Sequence, residues 1–226
     1  MHQSTRRSFL TQSAVFAGGS ILVNSSLLSP AAAEEKPAHD LIRQMTWMND
    51  PASWKQQDGK LIVTSRPKTD FWRKTVSGTV VDNGHFFHLP AAGDFTFEAR
   101  VNAPYATLYD QAGLMVRVDA ENWVKCGTEF LDGTRQASVV FTRDFSDGST
   151  MNDLSQDAPV WWRVVRTRDA LETLCSLDGQ KYISVRQGYL VPAAKAEVGI
   201  MCAAPEGGGF ASMFDNLRLL PAAKQP

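Results

Sequence analysis

The chain has no surplus of positive charge. Its 226 residues hold 23 Lys and Arg against 24 Asp and Glu, and residues 34–226 alone hold 21 against 24. A chain without a basic excess lacks the electrostatic footprint of a nucleic-acid binder, so no nucleic-acid partner is expected. Cysteine is scarce too. Cys126, Cys175 and Cys202 make an odd count without metal-ligand spacing, which excludes a fully paired disulfide framework and a zinc motif. Each lies in an apolar strand pattern, as a small buried hydrophobe would, and one disulfide among the three stays open. The sequence contains no Gly-x-Ser-x-Gly elbow, no zinc-protease motif and no P-loop, so those three chemistries lack their signatures. No cofactor and no metal are expected. Beyond residue 33 no segment sustains an apolar 3.6-residue period, which leaves little room for helix.

What the chain does have is short strands. Residues 60–65, 78–82, 85–89, 95–101, 111–118, 123–130 and 137–142 form a first group. Residues 161–168, 171–177, 182–187, 197–203 and 212–220 form a second. Asp58-Gly59, Asn83-Gly84, Asp132-Gly133 and Asp178-Gly179 supply turn chemistry between them. About a dozen strands with little helix predict an all-β, two-sheet sandwich or a barrel. It should occupy residues 45–221 as one domain, after a polar lead-in at 34–44 and before a tail at 222–226. Residues 142–159 are polar and rich in Ser, Asp and Gly. They predict a long loop, either functional or simply a surface connection. At the start, Thr5-Arg6-Arg7-Ser8-Phe9-Leu10 is a twin-arginine pattern, followed by an apolar run and Ala31-Ala32-Ala33. Residues 1–33 thus predict a twin-arginine signal peptide, a periplasmic or secreted protein, and no membrane anchor once the signal is removed.

The least ordinary stretch is 109–130. Ala112, Leu114, Val116 and Val118 alternate with Gln111, Gly113, Met115 and Arg117. In the next strand Val124, Cys126 and Phe130 alternate with Trp123, Lys125, Gly127 and Glu129. Period-two alternation predicts a hairpin with one face in the core and the other open. A three-residue loop, Asp119 to Glu121, puts both apolar sets on one side. It pairs Arg117 with Trp123, Met115 with Lys125, Gly113 with Gly127 and Gln111 with Glu129. A shift by two would set Arg117 against Lys125, a like-charge pair. The favoured register leaves a Gly–Gly gap on the open face where a ligand could lie against bare backbone.

Several motifs resemble a family. Trp47-x-x-x-Pro51, Thr69-Asp70-Phe71-Trp72-Arg73, Asp82-Asn83-Gly84-His85-Phe86, Asp110-Gln111-Ala112-Gly113-Leu114, Trp123-Val124-Lys125-x-Gly127-x-Glu129 and Ser146-Asp147 are similar to those of a bacterial family of unknown function. Its members are often labelled "regulation of enolase"-like after a yeast relative. The resemblance covers about residues 45–220. It implies a jelly-roll sandwich of the concanavalin A-like lectin/glucanase superfamily, and it implies no activity. Gly148 is a departure, because that family usually carries an aromatic residue after the Ser-Asp.

On the open face, Gln111, Lys125 and Glu129 offer hydrogen bonds to sugar hydroxyls, and Trp72 and Trp123 offer aromatic faces to a sugar ring. Asp70, Arg73 and Tyr109 complete the candidate ligand-binding set, with Asp70 also suited to an Asx turn of its own loop. A cross-strand partner is expected for Lys125, since Glu129 lies two same-face steps, roughly 13 Å, along its strand. Trp54 and Trp162 are assigned to the core, and His85 to a structural role at a hairpin mouth. Catalysis has weaker support. A glycosidase needs two carboxyl groups roughly 5–10 Å apart across the scissile bond. The surroundings of Glu129, GTEFLDG, do not supply the E-x-D-x-x-E arrangement of laminarinase-type relatives. Glu129 is nevertheless the best candidate for a catalytic group. The expected function is carbohydrate binding, with a glycan or oligosaccharide as partner. A glycoside hydrolase or polysaccharide lyase is the first alternative, and a protein-interaction module the second.

Overall fold

A computed structural model describes residues 38–151 and 158–221. These form a short helix, α1 (Ala38–Ile42), and sixteen strands. They are β1 (Thr46–Met48), β2 (Ser53–Gln57), β3 (Lys60–Thr64), β4 (Phe71–Arg73), β5 (Val80–Asp82), β6 (His85–Ala92), β7 (Phe95–Asn102) and β8 (Gln111–Arg117). The chain continues through β9 (Asn122–Leu131), β10 (Thr134–Arg143), β11 (Phe145–Met151), β12 (Val160–Thr167), β13 (Ala170–Ser176), β14 (Ile183–Tyr189), β15 (Lys195–Ala203) and β16 (Ala211–Pro221). One seven-stranded sheet has the order β1-β6-β15-β8-β9-β10-β11 and the other β14-β13-β12-β7-β16-β3-β2. Together they make the all-β, jelly-roll, two-sheet antiparallel sandwich expected from the turn spacing and the motifs.

Period two decides what lies between the sheets. From the first sheet Leu114 and Val116 of β8, Val124 and Cys126 of β9, and Val198 and Ile200 of β15 face inward. They meet Phe95, Phe97 and Ala99 of β7, Val160, Trp162 and Val164 of β12, and Leu61 and Val63 of β3. Trp162 is therefore core as expected, and its neighbour Trp161 faces the other way, half-buried. Trp54 is not core: on edge strand β2 it is 46% exposed. The lead-in also differs from expectation, because Leu41 and Ile42 of α1 join the main core. All three cysteines are buried free thiols. The twin-arginine pattern and the tail lie outside the described residues.

The largest departure concerns the polar stretch 142–159. Residues Phe145–Met151 are not a loop but a strand, paired with β10 from Arg143↔Phe145 to Ala137↔Met151. An edge strand hydrogen-bonded on one side only can keep Ser, Asp and Gly, and those residues disguised it as a connection.

The register of β8 against β9 is the one that loop chemistry favours: Gln111↔Glu129, Gly113↔Gly127, Met115↔Lys125, Arg117↔Trp123. The face expected to be open is not open. Every residue of β8 is buried, because β4 and β5, a separate two-stranded hairpin, lie over that face. Phe71 of the hairpin joins Phe86, Met115, Trp123, Val140 and Met201 in a second apolar cluster on the far side of the sheet. Arg117 fixes the hairpin through two hydrogen bonds to Asp82, at 2.9 and 2.7 Å. The Arg73 N–H donates to Ser146 Oγ at 2.9 Å.

His85 opens β6 at 1% exposure, in the structural role expected of it. Its Nδ1 faces the Asn49 carbonyl at 2.8 Å, and its Nε2 accepts from the Arg66 N–H at 2.9 Å. Only the neutral ring with the proton on Nδ1 satisfies both contacts. Burial pulls its pKa below the ordinary 6.5, partly opposed by the Asn49 hydrogen bond. A folded pKa below the unfolded one means that the unfolded chain binds the proton more readily. Stability should therefore fall as pH drops below about 6.5 towards the folded pKa. Thermal melts at pH 7.5 and 5.5 should show a loss that shrinks in His85→Gln; an equal loss in both proteins would assign the pH dependence elsewhere.

Candidate functional site

Where the β4–β5 hairpin stops covering the sheet, a cavity of about 460 Å³ opens. Its walls are Asp70, Trp72, Thr75, Val76, Ser77, Tyr109, Lys125, Glu129 and Val140. The sheet forms the floor. Met115, Lys125, Val140 and Gly148 pair in one row across β8 to β11, and Gln111 pairs with Glu129 four residues along. The hairpin and its loop form the overhang. Here Val76 adopts φ 69° and is fully exposed, a left-handed conformation rare for a β-branched residue. The Trp72 Nε1–H donates to the Thr75 carbonyl at 2.8 Å, holding the indole along its own loop.

Beneath Trp72 lies a polar network. Lys125, 5% exposed, places Nζ 2.7 Å from Gln111 Oε1 and 3.2 Å from Asp70 Oδ1. Asp70 Oδ1 also accepts from Gln111 Nε2 at 3.2 Å and from the Phe71 N–H at 2.7 Å. The last contact is to the next residue, one short of the Asx-turn bond expected of Asp70, and the same oxygen is shared with the network. Gln111 spends its second N–H on the Tyr109 carbonyl at 3.2 Å. It does not serve Glu129, as their direct pairing had suggested. Instead, Ser138 lies beside the Glu129 carboxyl at the edge of the same small space. Burial pushes that carboxyl above its ordinary pKa, with Asp70 adding to the rise and Lys125 and Ser138 opposing it. Lys125 pairs with Asp70 at 3.2 Å, and Glu129 is the carboxyl of the wall whose pKa burial raises.

Six of the eight expected residues, Asp70, Trp72, Tyr109, Gln111, Lys125 and Glu129, thus gather at one place. Two do not. Trp123 is 1% exposed in the second cluster, edge-on to Phe71 at 6.2 Å and 62°, with no face free for a ligand. Arg73 is buried and turned away, donating to Asp144 Oδ1 at 3.0 Å and reaching Glu121 at 3.4 Å. The Gly–Gly gap is also smaller than expected. A Cβ on Gly113 or Gly127 would collide with the backbone of the other strand, so both glycines serve close strand approach. The adjoining space, about 10 Å³, suits at most one water molecule. Gly148 differs: a Cβ there would sit in ordinary contact with the Trp72 ring, at 3.8 Å, so this position does not demand glycine. Thr75, Val76, Ser77, Ser138 and Val140 were missed, because nothing in a strand alternation says what will lie across it. No group of three or more His, Cys, Asp or Glu side chains among the described residues is placed to hold a metal ion. Among the same residues, no helix is long and apolar enough to cross a membrane.

A family model described as "Protein of unknown function (DUF1349)" matches residues 47–222. The chain belongs to that family. "Regulation of enolase protein 1" of Saccharomyces cerevisiae is 37% identical over 178 residues, which span 79% of this chain and 90% of the yeast protein. A crystal structure described as a functionally unknown protein from Saccharomyces cerevisiae superposes with TM-score 0.78 at 36% identity, over 80% of this chain and 98% of that one. The DUF1349 match agrees with the resemblance read from the DQAG and WVK motifs, although these two relatives come from yeast and not from a bacterium. The two yeast relatives overturn the periplasmic or secreted location expected from residues 1–33. One of them is named for regulating enolase, and residues 1–33, on which that expectation rested, lie outside the described residues. More distant sandwiches share the fold. A GH43 protein, BlXynB of Bacillus licheniformis, matches with TM-score 0.63 at 15% identity over 79% of this chain and 37% of its own. The carbohydrate binding module CBM66 of Bacillus subtilis matches with TM-score 0.53 at 10% identity, over 78% of this chain and 95% of the module.

Proposed function

We propose that this DUF1349 protein binds a neutral carbohydrate in the cavity between the β4–β5 hairpin and the sheet. The observation that carries this reading is the buried Asp70–Gln111–Lys125 network beside Glu129, under the Trp72 and Tyr109 side chains. Such a surface combines an aromatic wall for the C–H face of a sugar ring with fixed donors and acceptors for its hydroxyls. The charge of Lys125 is already met by Asp70, which argues for neutral sugars over uronates. The likeness of the fold to a carbohydrate binding module and to a GH43 protein supports the same class. Affinity gels and a glycan array test the reading: retention of a neutral glycan that Trp72→Ala weakens at least tenfold is expected. A clean negative across plant, algal and bacterial glycans would sink it.

A second reading, glycoside hydrolysis, draws on one specific observation. Glu129 has a raised pKa, while Asp70 holds its oxygen among three donors. A carboxyl group with a raised pKa beside a second carboxylate that accepts three hydrogen bonds resembles an acid and its charged partner. Glu129→Gln separates the readings. The variant keeps the shape of the protonated acid, so it should fold normally and retain glycan binding within a few-fold, yet lose release of reducing ends if the wild type shows any. Release of reducing ends undiminished in Glu129→Gln would remove Glu129 from chemistry.

A further inference from the structure

The core row of β12 ends on a charge. Val160, Trp162 and Val164 face the main core, and the next inward position is Arg166, 3% exposed. A guanidinium carries five N–H donors and keeps its charge. Here Nε donates to the Arg168 carbonyl and Nη2 to the Ala193 carbonyl, both at a long 3.3 Å. Nη1 is buried with no hydrogen-bond partner among the described residues. Burial pulls the pKa of the group down, with Asp94 opposing from beyond ion-pair contact. A charge placed like this is costly to the fold unless a counter-charge reaches it.

Arg166 lies in the wall of a second cavity, of about 410 Å³, bounded by Gly93 and Asp94, by Arg168 and Asp169, and by Pro192 and Ala193. That volume is in the range of small-molecule sites. The three connections around it are tied together. The Arg168 N–H donates to Asp94 Oδ1 at 2.6 Å, and the Leu190 N–H donates to the Asp169 carbonyl at 2.9 Å. The frame therefore exists before any ligand arrives.

We infer that this cavity binds a small molecule through a carboxylate, received by the Arg166 guanidinium. The planar fork of arginine matches the two oxygens of a carboxylate. Charge selects for a single negative group. Arg166 and Arg168 are balanced by Asp94 and Asp169 along the same wall, so a carboxylate leaves the site with one negative charge in excess and a dianionic phosphate with two. The cavity shares no lining residue with the one beside Lys125, and the inference stands independently of the carbohydrate reading.

Acetate is the minimal probe, titrated into the full chain against sodium chloride and inorganic phosphate at matched ionic strength. Acetate is expected to raise the melting temperature saturably above chloride, and phosphate is expected to do less. Arg166→Met should melt at or above the wild type without acetate, since it removes a buried unpaired charge, and should lose the acetate response. Asp94→Asn keeps the oxygen that accepts from Arg168 and removes a competing charge, so it should tighten acetate several-fold. It also serves as the test if Arg166→Met fails to fold. Acetate acting no better than chloride, or an acetate response kept in Arg166→Met or unmoved in Asp94→Asn, overturns the site. Phosphate outperforming acetate overturns the carboxylate assignment.

Discussion

Lys125→Met is expected to abolish retention on any glycan that the wild-type protein binds, while leaving a folded chain. The ammonium is the hub of the network: without it Gln111 Oε1 loses its 2.7 Å donor and Asp70 loses its only cationic partner among the described residues. Methionine nearly fills the volume, so the change is one of charge and hydrogen bonding and not of packing. Asp70 keeps the Phe71 N–H and the Gln111 amide, which holds the cost to stability at about 1–3 kcal/mol, that of one unpaired polar group. Binding should suffer more. Loss of a charge-assisted contact at the ligand, plus rotation of Gln111, is expected to weaken affinity by about two orders of magnitude or more, from roughly 3 kcal/mol. Isothermal titration with the retained glycan and urea denaturation measure the two quantities separately. A Lys125→Met protein that binds within threefold of wild type would place the ligand elsewhere.

Phe71→Ala should be the most destabilising single change near the site, at about 3–5 kcal/mol for a fully buried ring. Phe71 is the hairpin's plug in the second cluster, fully buried against Trp123, Met115 and Phe86. Its loss also exposes the Trp123 indole, whose Nε1 has no partner in its apolar nest. The expected signature has two parts: a lower urea midpoint, and a red shift of tryptophan emission under conditions where the strands of the sandwich remain. Because Asp70 and Trp72 flank Phe71, glycan binding should disappear with it. A Phe71→Ala variant with unchanged emission and a midpoint shifted by less than about 1 kcal/mol equivalent would mean that the hairpin is held by its ion pairs, Arg117 with Asp82 and Arg73 with Asp144, and not by the ring.

The sandwich was legible because alternation and Asp-Gly turns are local signals. The β8–β9 register could be read because a three-residue loop and one avoidable like-charge pair sufficed to choose it. The hairpin lying across that face was not read, although its imprint was present. Phe86 beside Phe87, and Met201 between Ile200 and Cys202, make consecutive apolar runs. Such runs mark strands buried on both sides. Met115 and Trp123 stood at positions assigned to solvent for the same reason. Alternation alone therefore makes Trp123 a ligand platform, whereas it is the hairpin's seat. Strand β11 escaped because an edge strand with Ser, Asp and Gly on its free side has the composition of a loop. The buried Arg166 drew no attention, since a charged residue at a strand end reads as an ordinary surface position until its neighbours are known.

The hairpin over β8 has a dynamic consequence. β8 is the central strand of its sheet, buried along its length and bonded to β15 and β9. Its amide protons can exchange with solvent only when the sandwich itself opens. The β4–β5 hairpin pairs in the ladder only with itself, and side-chain ties hold it down, so it can lift as a smaller cooperative unit at lower free energy. Gln111, Lys125 and Glu129 belong to the slow-exchanging body, whereas Asp70 and Trp72 belong to the faster one. A molecule that touched both would have to draw on its own contacts to keep the two units closed. Its arrival would be written as protection of the amides of residues 71–82 alone, with those of β8 unchanged.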